Sequence, residues 1–196
     1  MKFFKSRTGM VVTVVLAFVI IYGIFSYNGL VSLDESASAK WSNVEVQYQR
    51  RASLIPNLVN TVKGYATHEK ETFKELTSLR ANAFKTEQGV SPSADDLKKF
   101  EESQGAIGAA LGRLIAIAEN YPELKANQNF LELQAQLEGT ENRIAVARKD
   151  FNDAVNSFNR AVRKFPKNLF ASIFGFETKA YLKADESAKE TPEVSF

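Results

Sequence analysis

The only histidine of the chain, His68, is followed directly by Glu69 in the stretch LVNTVKGYATHEKETFKEL, residues 58–76. An imidazole next to a carboxylate can bind a metal ion or exchange protons with a substrate. Both kinds of chemistry need additional groups, because a metal ion collects several ligands and an acid–base pair needs a bound substrate. Whether this pair is chemically active therefore depends on what the rest of the chain supplies.

The remaining residue types do not complete a catalytic or metal-binding site. The sequence contains no cysteine, which excludes disulfides, thiolate metal sites and thiol nucleophiles. A di-metal helical bundle needs a Glu-x-x-His motif on each of two helices, and this chain has no such motif. No nucleophile motif or phosphate-binding loop is recognisable. We predict that the protein is not an enzyme, has no cofactor or metal, and uses His68 and Glu69 as a structural or partner-facing pair.

One apolar run and a nearly balanced charge indicate the surroundings of the protein. The formal net charge is +2 in 196 residues, so we expect no nucleic-acid partner. The stretch from Gly9 to Leu33 contains no charged residue. Within it, residues 10–31 match the roughly 20 residues that a helix needs to cross the hydrocarbon core of a membrane. We predict a transmembrane helix over 10–31 that also serves as the signal anchor.

The charges on either side of this run predict its orientation. Basic residues precede it and acidic residues follow it: Lys2, Lys5, Arg7, Asp34 and Glu35. The positive-inside rule then makes residues 1–9 a short cytoplasmic N-terminus and puts the following domain outside the cytoplasm. The alternative is a cleaved signal peptide, since Ala37-Ser38-Ala39 has the form of a cleavage site. That site lies too far beyond the apolar run, so an uncleaved single-pass anchor is favoured.

Beyond the anchor the chain has helical periodicity almost throughout. In the third helical segment, about 123–165, bulky residues recur every seven positions: Phe130, Leu137, Ile144, Phe151, Phe158 and Phe165. Mostly small residues recur between them, which is typical of closely packed helices in a coiled coil. The second segment, 93–120, repeats this pattern less strictly. The first continues from Trp41 to about residue 86, with Pro56 expected to bend the helix rather than end it.

These segments predict an all-α fold. Residues 57–86 and 93–120 would form helices of similar length, so we expect them to pack as an antiparallel pair that the third helix covers. The predicted domain is an antiparallel bundle of long helices over residues 34–183. The polar tail, residues 184–196, is predicted to be disordered.

Polar residues interrupt or flank the helical seams. They are Arg51, Asn57, Glu69, Arg80, Glu141, Arg148, Asn152 and Asn159. One interpretation is that most of them are solvated edges of the bundle. The other is an inter-helical polar network or partner surface, because a charge on a seam destabilises the fold unless it is paired.

The closing segment NLFASIFGFETKAYL, residues 168–182, concentrates apolar and aromatic side chains, among them Phe170, Ile173, Phe174, Phe176 and Tyr181. It could fold back and cap the bundle. It could also lie on the membrane surface or on a partner, since Arg163, Lys164 and Lys167 beside it suit anionic lipid headgroups.

Three stretches resemble the motifs of the LemA family. They are WSNVEVQYQRRASLIPNLVNTVKGYATHEKETFKELTSLRAN, ENYPELKANQNFLELQAQLEGTENRIAVARKDFNDAVNSFNRAVRKFP and FPKNLFASIFGFETKAYLKADE. The resemblance covers about residues 28–185. It implies a protein of the bacterial envelope, in the cytoplasmic (inner) membrane, with one N-terminal transmembrane helix and an antiparallel helical bundle. It implies no known enzymatic activity, cofactor or catalytic residue.

Two functional classes remain open. The first is a membrane-tethered interaction or scaffold module that docks with another envelope protein or organises the envelope at the membrane surface. The second is a receptor that binds a small anionic ligand between helices through Arg51 and Arg80. A receptor with only about nine residues before its span would need a partner in order to signal across the membrane.

Overall fold

The computed structural model describes residues 7–66, 68–83 and 92–183. These residues form helices joined by turns and irregular segments, without a strand among them, which confirms the predicted all-α class. In chain order the helices are α1 (Arg7–Lys63), α2 (Lys70–Asn82), α3 (Ala94–Ala118), α4 (Pro122–Lys125), α5 (Gln128–Arg163) and α6 (Lys167–Phe174). The predicted disordered tail, 184–196, and most of the predicted cytoplasmic N-terminus lie outside the described residues.

The helices are divided between two compact units. Unit 1 comprises residues up to Ala39 together with Asp153–Lys179. Unit 2 comprises Lys40–Asn152 and the chain from Ala180 onwards. The two longest helices, α1 and α5, contribute to both units.

In unit 2 the helices run alternately up and down. Going forward along α1, its residues contact progressively earlier residues of α5, in the pairs Trp41–Phe151, Tyr48–Arg148 and Arg51–Glu141. Helix α2 returns beside α1, because Arg80 near its C-terminus reaches Ala52. The core between the helices is aliphatic and includes the fully buried residues Ile55, Leu58, Val62, Leu76, Ile107 and Leu114. Trp41 extends this core, with its ring 5.1 Å from that of Phe100 and 5.5 Å from that of Phe151.

The structure corrects the prediction of one helix reaching residue 86. Helix α1 ends at Lys63 and α2 begins at Lys70. Gly64 follows the last residue of α1, and the amides of Tyr65 and Ala66 both donate to the carbonyl of Val62, which closes the helix with a tight turn. This turn lets α2 fold back and bury Phe73 and Leu76. Helix α3 therefore packs against the short helix α2 and against α1, rather than against one continuous helix of matching length.

Two further boundaries follow from local sequence. The hydroxyl of Ser93 accepts a hydrogen bond from the amide of Asp96, and the carboxylate of Asp96 accepts one from the amide of Ser93. This capping box begins α3 at the predicted place. The predicted third helix is divided, since α4 forms a single turn after Tyr121 and α5 begins only at Gln128.

Candidate functional site

Arg51 is the most buried charged side chain among the predicted network residues, with 5% of its surface exposed. Its Nη2 donates to both the backbone carbonyl and the side-chain oxygen of Gln104, at 2.9 and 2.8 Å. Its Nη1 donates to Glu141 at 3.0 Å, and the guanidinium lies 4.9 Å from the ring centroid of Tyr48. Helix α1 is thus tied to α3 and α5 at one point. Its neighbour Arg50, by contrast, is exposed.

Gly108 of α3 lies next to this buried guanidinium. A Cβ added at Gly108 would lie 3.9 Å from Nη1 of Arg51, which is an ordinary van der Waals contact. Sequence reasoning did not include Gln104, although a glutamine four residues after the core residue Phe100 falls on the buried face of α3.

Arg80 contacts the backbone rather than a carboxylate. Its Nε donates to the carbonyl oxygen of Ala52 at 3.0 Å. Helix α1 continues through Pro56, as predicted, and proline has no amide hydrogen to give to the carbonyl four residues earlier. That carbonyl belongs to Ala52, so Arg80 replaces the hydrogen bond that Pro56 removes.

Arg148 joins α5 to α1 and α3 in unit 2. It donates to the hydroxyl of Tyr48 at 2.8 Å and to Glu101 at 3.1 Å. The same guanidinium also donates to the backbone carbonyl of Lys183, whose amide donates to Glu101. Arg148 and Glu101 therefore also bind the backbone of the chain that follows α6.

Two asparagines on α5 bind the irregular backbone after α6 in the same way. In unit 2, Asn152 donates to the carbonyl of Leu182 and accepts from the amide of the same residue, both at 2.9 Å. In unit 1, Asn159 makes the same pair of bonds with Lys179, at 2.9 and 2.8 Å. Each carboxamide thus satisfies both backbone groups of one residue. These asparagines, seven apart in sequence, position the chain after α6.

The structure does not bring His68, Glu69 or Asn57 into this network. His68 lies exposed in the turn between α1 and α2, and Glu69 accepts the amide of Phe73 with its backbone carbonyl at 3.3 Å. Asn57 lines an open groove of about 420 Å³ between α1 and α5, along with Asn60, Thr61, Asn129, Glu132, Leu133 and Gln136. Carboxamides dominate this groove. In the described part of the chain, no group of three His, Asp or Glu residues is arranged to hold a metal ion.

The aromatic residues of the closing segment differ in their surroundings. In unit 1, Phe170 contacts Tyr22 at 5.5 Å between ring centroids, and Phe174 contacts Tyr27 at 5.0 Å. Phe176 lies between Tyr27 and Phe158, at 5.8 and 6.3 Å. Ile173 is 73% exposed, and Tyr181, in unit 2, is 46% exposed. The first three therefore pack on residues of α1 and α5 within unit 1.

Unusual pKa values in unit 2 occur on carboxylates with evident local causes. Burial raises the pKa of Glu45, an effect that a hydrogen bond from Trp41 partly opposes. A hydrogen bond from Lys40, 2.8 Å away, and the positive charge of that lysine lower the pKa of Asp150. The hydroxyl and amide of Ser93 lower the pKa of Asp96. The shifts of Asp150 and Asp96 come from contacts within the bundle, and that of Glu45 comes from burial.

Comparison with known proteins decides the family. The LemA family model matches residues 40–196. The chain belongs to the LemA family. The chain is similar to magnetosome proteins MamQ 1 and MamQ 2 of Paramagnetospirillum magneticum, each 30% identical over 86% of this chain and 68% of the relative. Protein LemA of Metamycoplasma hominis is 21% identical over 88% of this chain and 78% of the relative.

Proposed function

We propose that this LemA-family chain is a membrane-anchored scaffold of the bacterial envelope. Residues 10–31 cross the cytoplasmic membrane as a signal anchor, and residues 1–9 lie in the cytoplasm. The helical bundle, residues 34–183, lies outside the cytoplasm and presents its surface to another envelope protein. The chain catalyses no reaction in this proposal.

The exposed apolar surface of α1 supports the membrane anchor. Every residue from Met10 to Ile21 is exposed, and the apolar side chains among them are 45–68% exposed wherever the values are given: Met10, Val11, Val12, Val14, Val15, Leu16, Phe18, Val19, Ile20 and Ile21. The helix is long and apolar enough to span a membrane. An apolar surface of this size is unstable in water, and lipid is the environment that suits it.

The bonding of Arg51 supports a scaffold over an anion receptor. A receptor would need free donors facing a cavity. Both terminal nitrogens of Arg51 bond to Gln104 and Glu141, and its Nε, although without a hydrogen-bond partner among the described residues, is buried. Arg80 likewise uses its Nε for Ala52. In this proposal both arginines stabilise the bundle, and the partner meets its outer surface.

The names of the relatives are consistent with a structural role. Two of them are named as magnetosome proteins, after the structure to which they belong rather than after a reaction. We extend only this general idea to the present chain, which would serve as a component of an assembly at the membrane.

Membrane topology gives the first test. We expect the full chain to remain in the membrane fraction after alkaline carbonate extraction. Alkaline phosphatase, which is active only outside the cytoplasm, should be active when fused to the C-terminus of the full chain. Recovery of the full chain in the soluble fraction, or an inactive fusion, would contradict the proposal.

A ligand screen separates the scaffold from the receptor. In detergent micelles, small carboxylates and phosphate should leave the melting temperature of the full chain unchanged. A ligand that raises this temperature in the wild type and in Arg50→Lys, but not in Arg51→Lys, would support the receptor and overturn the scaffold. Arg50→Lys is the matched control, because Arg50 is exposed on the same helix.

A further inference from the structure

We propose that α6, with Phe165 before it, inserts into the membrane leaflet that surrounds the C-terminal half of the transmembrane helix. Its partner would be lipid: acyl chains contact its outer face, and anionic headgroups contact the lysines at its start. This inference rests on the proposed span over residues 10–31, but it assigns a second membrane-embedded element to the chain.

The packing of α6 within unit 1 carries the inference. Phe170 lies against α1 so closely that a Cβ added at Gly23 would be 3.0 Å from its ring. The rings of Tyr22 and Tyr27 contact those of Phe170 and Phe174. The contacted residues of α1 all belong to the apolar run. A helix that touches the middle and end of a transmembrane segment must lie at the same depth in the bilayer.

The outer face of α6 is also apolar. Leu169 and Ile173 lie one turn apart on the side away from α1 and are 54% and 73% exposed. Phe165, four residues before Leu169, is 74% exposed. The side that faces α1 carries Phe170, Ala171 and Phe174. Only Asn168 and Ser172 form a polar strip between these two apolar faces. A short helix with two apolar faces suits a membrane or a protein interior better than water.

The order of chemical groups along α1 matches the order of layers in a membrane leaflet. Phe170 lies beside Gly23, eight residues or about 12 Å along the helix from the end of the apolar run at Val31. The ammonium of Lys167 lies beside Gly29, 3.5 Å from where a Cβ would be, and therefore close to the end of the run. Beyond the run, Lys179 pairs with Asp34 at 2.5 Å.

Tyrosine and lysine are the residues expected at the headgroup level, with phenylalanine and isoleucine deeper. Tyr27 and Lys167 occupy that level here. Arg163 and Lys164 are exposed next to this region and add positive charge that attracts anionic lipids. The charge and the exposed apolar face thus favour lipid over a protein groove as the partner of α6.

Because the chain contains no cysteine, a single introduced cysteine can report the depth of α6. The variants are Ile173→Cys in α6, Phe18→Cys in the apolar run, and Val146→Cys as an exposed apolar position of the bundle, 62% exposed. Each full chain is labelled with an environment-sensitive fluorophore and reconstituted into vesicles of phosphatidylcholine and phosphatidylglycerol. Quenching is then measured with lipids that carry a nitroxide on the acyl chain and with iodide in the water.

The proposal predicts that lipid nitroxides quench the label at residue 173 nearly as strongly as the label at residue 18, and that iodide quenches only the label at residue 146. A label at residue 173 that behaves like the one at residue 146 would overturn the proposal and leave α6 as a surface for a protein partner. If the label at residue 18 is also accessible to iodide, the transmembrane span itself is wrong. The label at residue 18 thus tests the proposed transmembrane helix, and the label at residue 173 tests the insertion of α6 separately.

Discussion

Arg80 donates a hydrogen bond from Nε to the carbonyl oxygen of Ala52, the carbonyl for which Pro56 provides no amide. A proline inside a helix ordinarily destabilises it by about 3 kcal/mol, partly through the lost hydrogen bond. Here the side chain of Arg80 replaces that hydrogen bond and also joins α2 to α1. We therefore expect the effect of replacing Arg80 to depend on whether residue 56 is a proline.

A double-mutant cycle tests this dependence. We expect Arg80→Met to lower the free energy of unfolding by about 1–2 kcal/mol in the wild-type background, because the Ala52 carbonyl loses the donor that stands in for the missing amide of Pro56. In Pro56→Ala, the new amide at residue 56 can bond to Ala52, so the same Arg80→Met change should have an effect smaller by about 1 kcal/mol. Unfolding of the full chain in detergent micelles can be followed by the fluorescence of Trp41, the single tryptophan, which is buried.

Lys74→Met provides the control for this cycle, since Lys74 is exposed on the same helix as Arg80. It should change stability by less than about 0.5 kcal/mol in both backgrounds. If Arg80→Met has the same effect with and without Pro56, its bond to Ala52 does not compensate for the proline.

Arg51 should contribute more to stability than its acidic partner does. Arg51→Met removes the donors to Gln104 and Glu141 and leaves the buried side-chain oxygen of Gln104 without this donor, so we expect a loss of about 2–4 kcal/mol. Glu141→Gln should cost less than about 1 kcal/mol, because the side chain of Glu141 is 45% exposed and water screens the pair. Thermal and denaturant unfolding followed by Trp41 fluorescence measure both.

The matched control for Arg51 is its exposed neighbour. Arg50→Met removes the same charge from the same helix and should alter stability by less than about 0.5 kcal/mol. Equal losses for Arg50→Met and Arg51→Met would show that net charge, rather than the buried contacts, determines the effect.

The sequence predicts the helices better than it predicts their partners. The seven-residue repeat of bulky side chains identifies α5, and the pairing of Trp41 with Phe151 follows the predicted antiparallel order. The end of α1 after Lys63 is harder to predict, because Gly64 alone is a weak signal. The glycines Gly105, Gly108 and Gly112 lie inside α3 without ending it. What distinguishes Gly64 is the tertiary gain when α2 folds back, which no local pattern contains.

For the polar contacts too, the sequence predicts the residues better than it predicts their partners. Heptad spacing singles out Asn152 and Asn159, yet their partners are backbone groups of Leu182 and Lys179. Backbone groups are the same at every residue, so the sequence carries no complementary pattern that would reveal such a pairing. Arg51 lies on one helical seam and Glu141 flanks another, so these two charged residues could be suggested as a pair. The neutral Gln104 could be suggested only from its position on the buried face of α3.

Asn159 should determine how firmly the chain after α6 is held in unit 1. Asn159→Leu keeps the size of the side chain but leaves the amide and carbonyl of Lys179 without their partner. We expect a loss of about 2 kcal/mol in stability and much faster hydrogen exchange at the amide of Lys179. Asn156→Leu, at an exposed position of the same helix, should change neither. Unchanged exchange in Asn159→Leu would contradict this assignment.

The raised pKa of Glu45 predicts that this residue destabilises the folded chain more at neutral than at acidic pH. Burial raises its pKa in the folded chain above the unfolded value, which is about 4.3. The contribution of Glu45 to the free energy of unfolding is therefore fully present below about pH 4. It is lost as the pH rises through the folded pKa, because the folded chain binds the proton more tightly than the unfolded chain does. Glu45→Gln should raise the melting temperature near neutral pH and have little effect near pH 4.

The exposed Glu102 on α3 serves as the reference for this titration. Glu102→Gln should leave the pH profile of the melting temperature unchanged between about pH 4 and 7. If Glu45→Gln raises the melting temperature more at acidic than at neutral pH, the pH dependence is opposite to the one that burial of Glu45 predicts.

Gly23 should be required for α6 to pack against α1. A Cβ at this position would already lie 3.0 Å from the ring of Phe170, so the longer side chain in Gly23→Leu cannot be accommodated without moving α6. We expect faster hydrogen exchange throughout α6 in the reconstituted full chain. The melting of unit 2, reported by Trp41, should stay the same, because Gly23 belongs to unit 1.

Gly112→Leu separates this steric effect from the general gain in helix propensity when a glycine is replaced. Nothing lies within 4 Å of a Cβ added at Gly112, so this variant should leave hydrogen exchange in α6 unchanged. The decisive comparison is the exchange of the α6 amides in the two variants. If the amides of α6 exchange equally slowly in Gly23→Leu and Gly112→Leu, the contact between Phe170 and Gly23 is not what keeps α6 packed on α1.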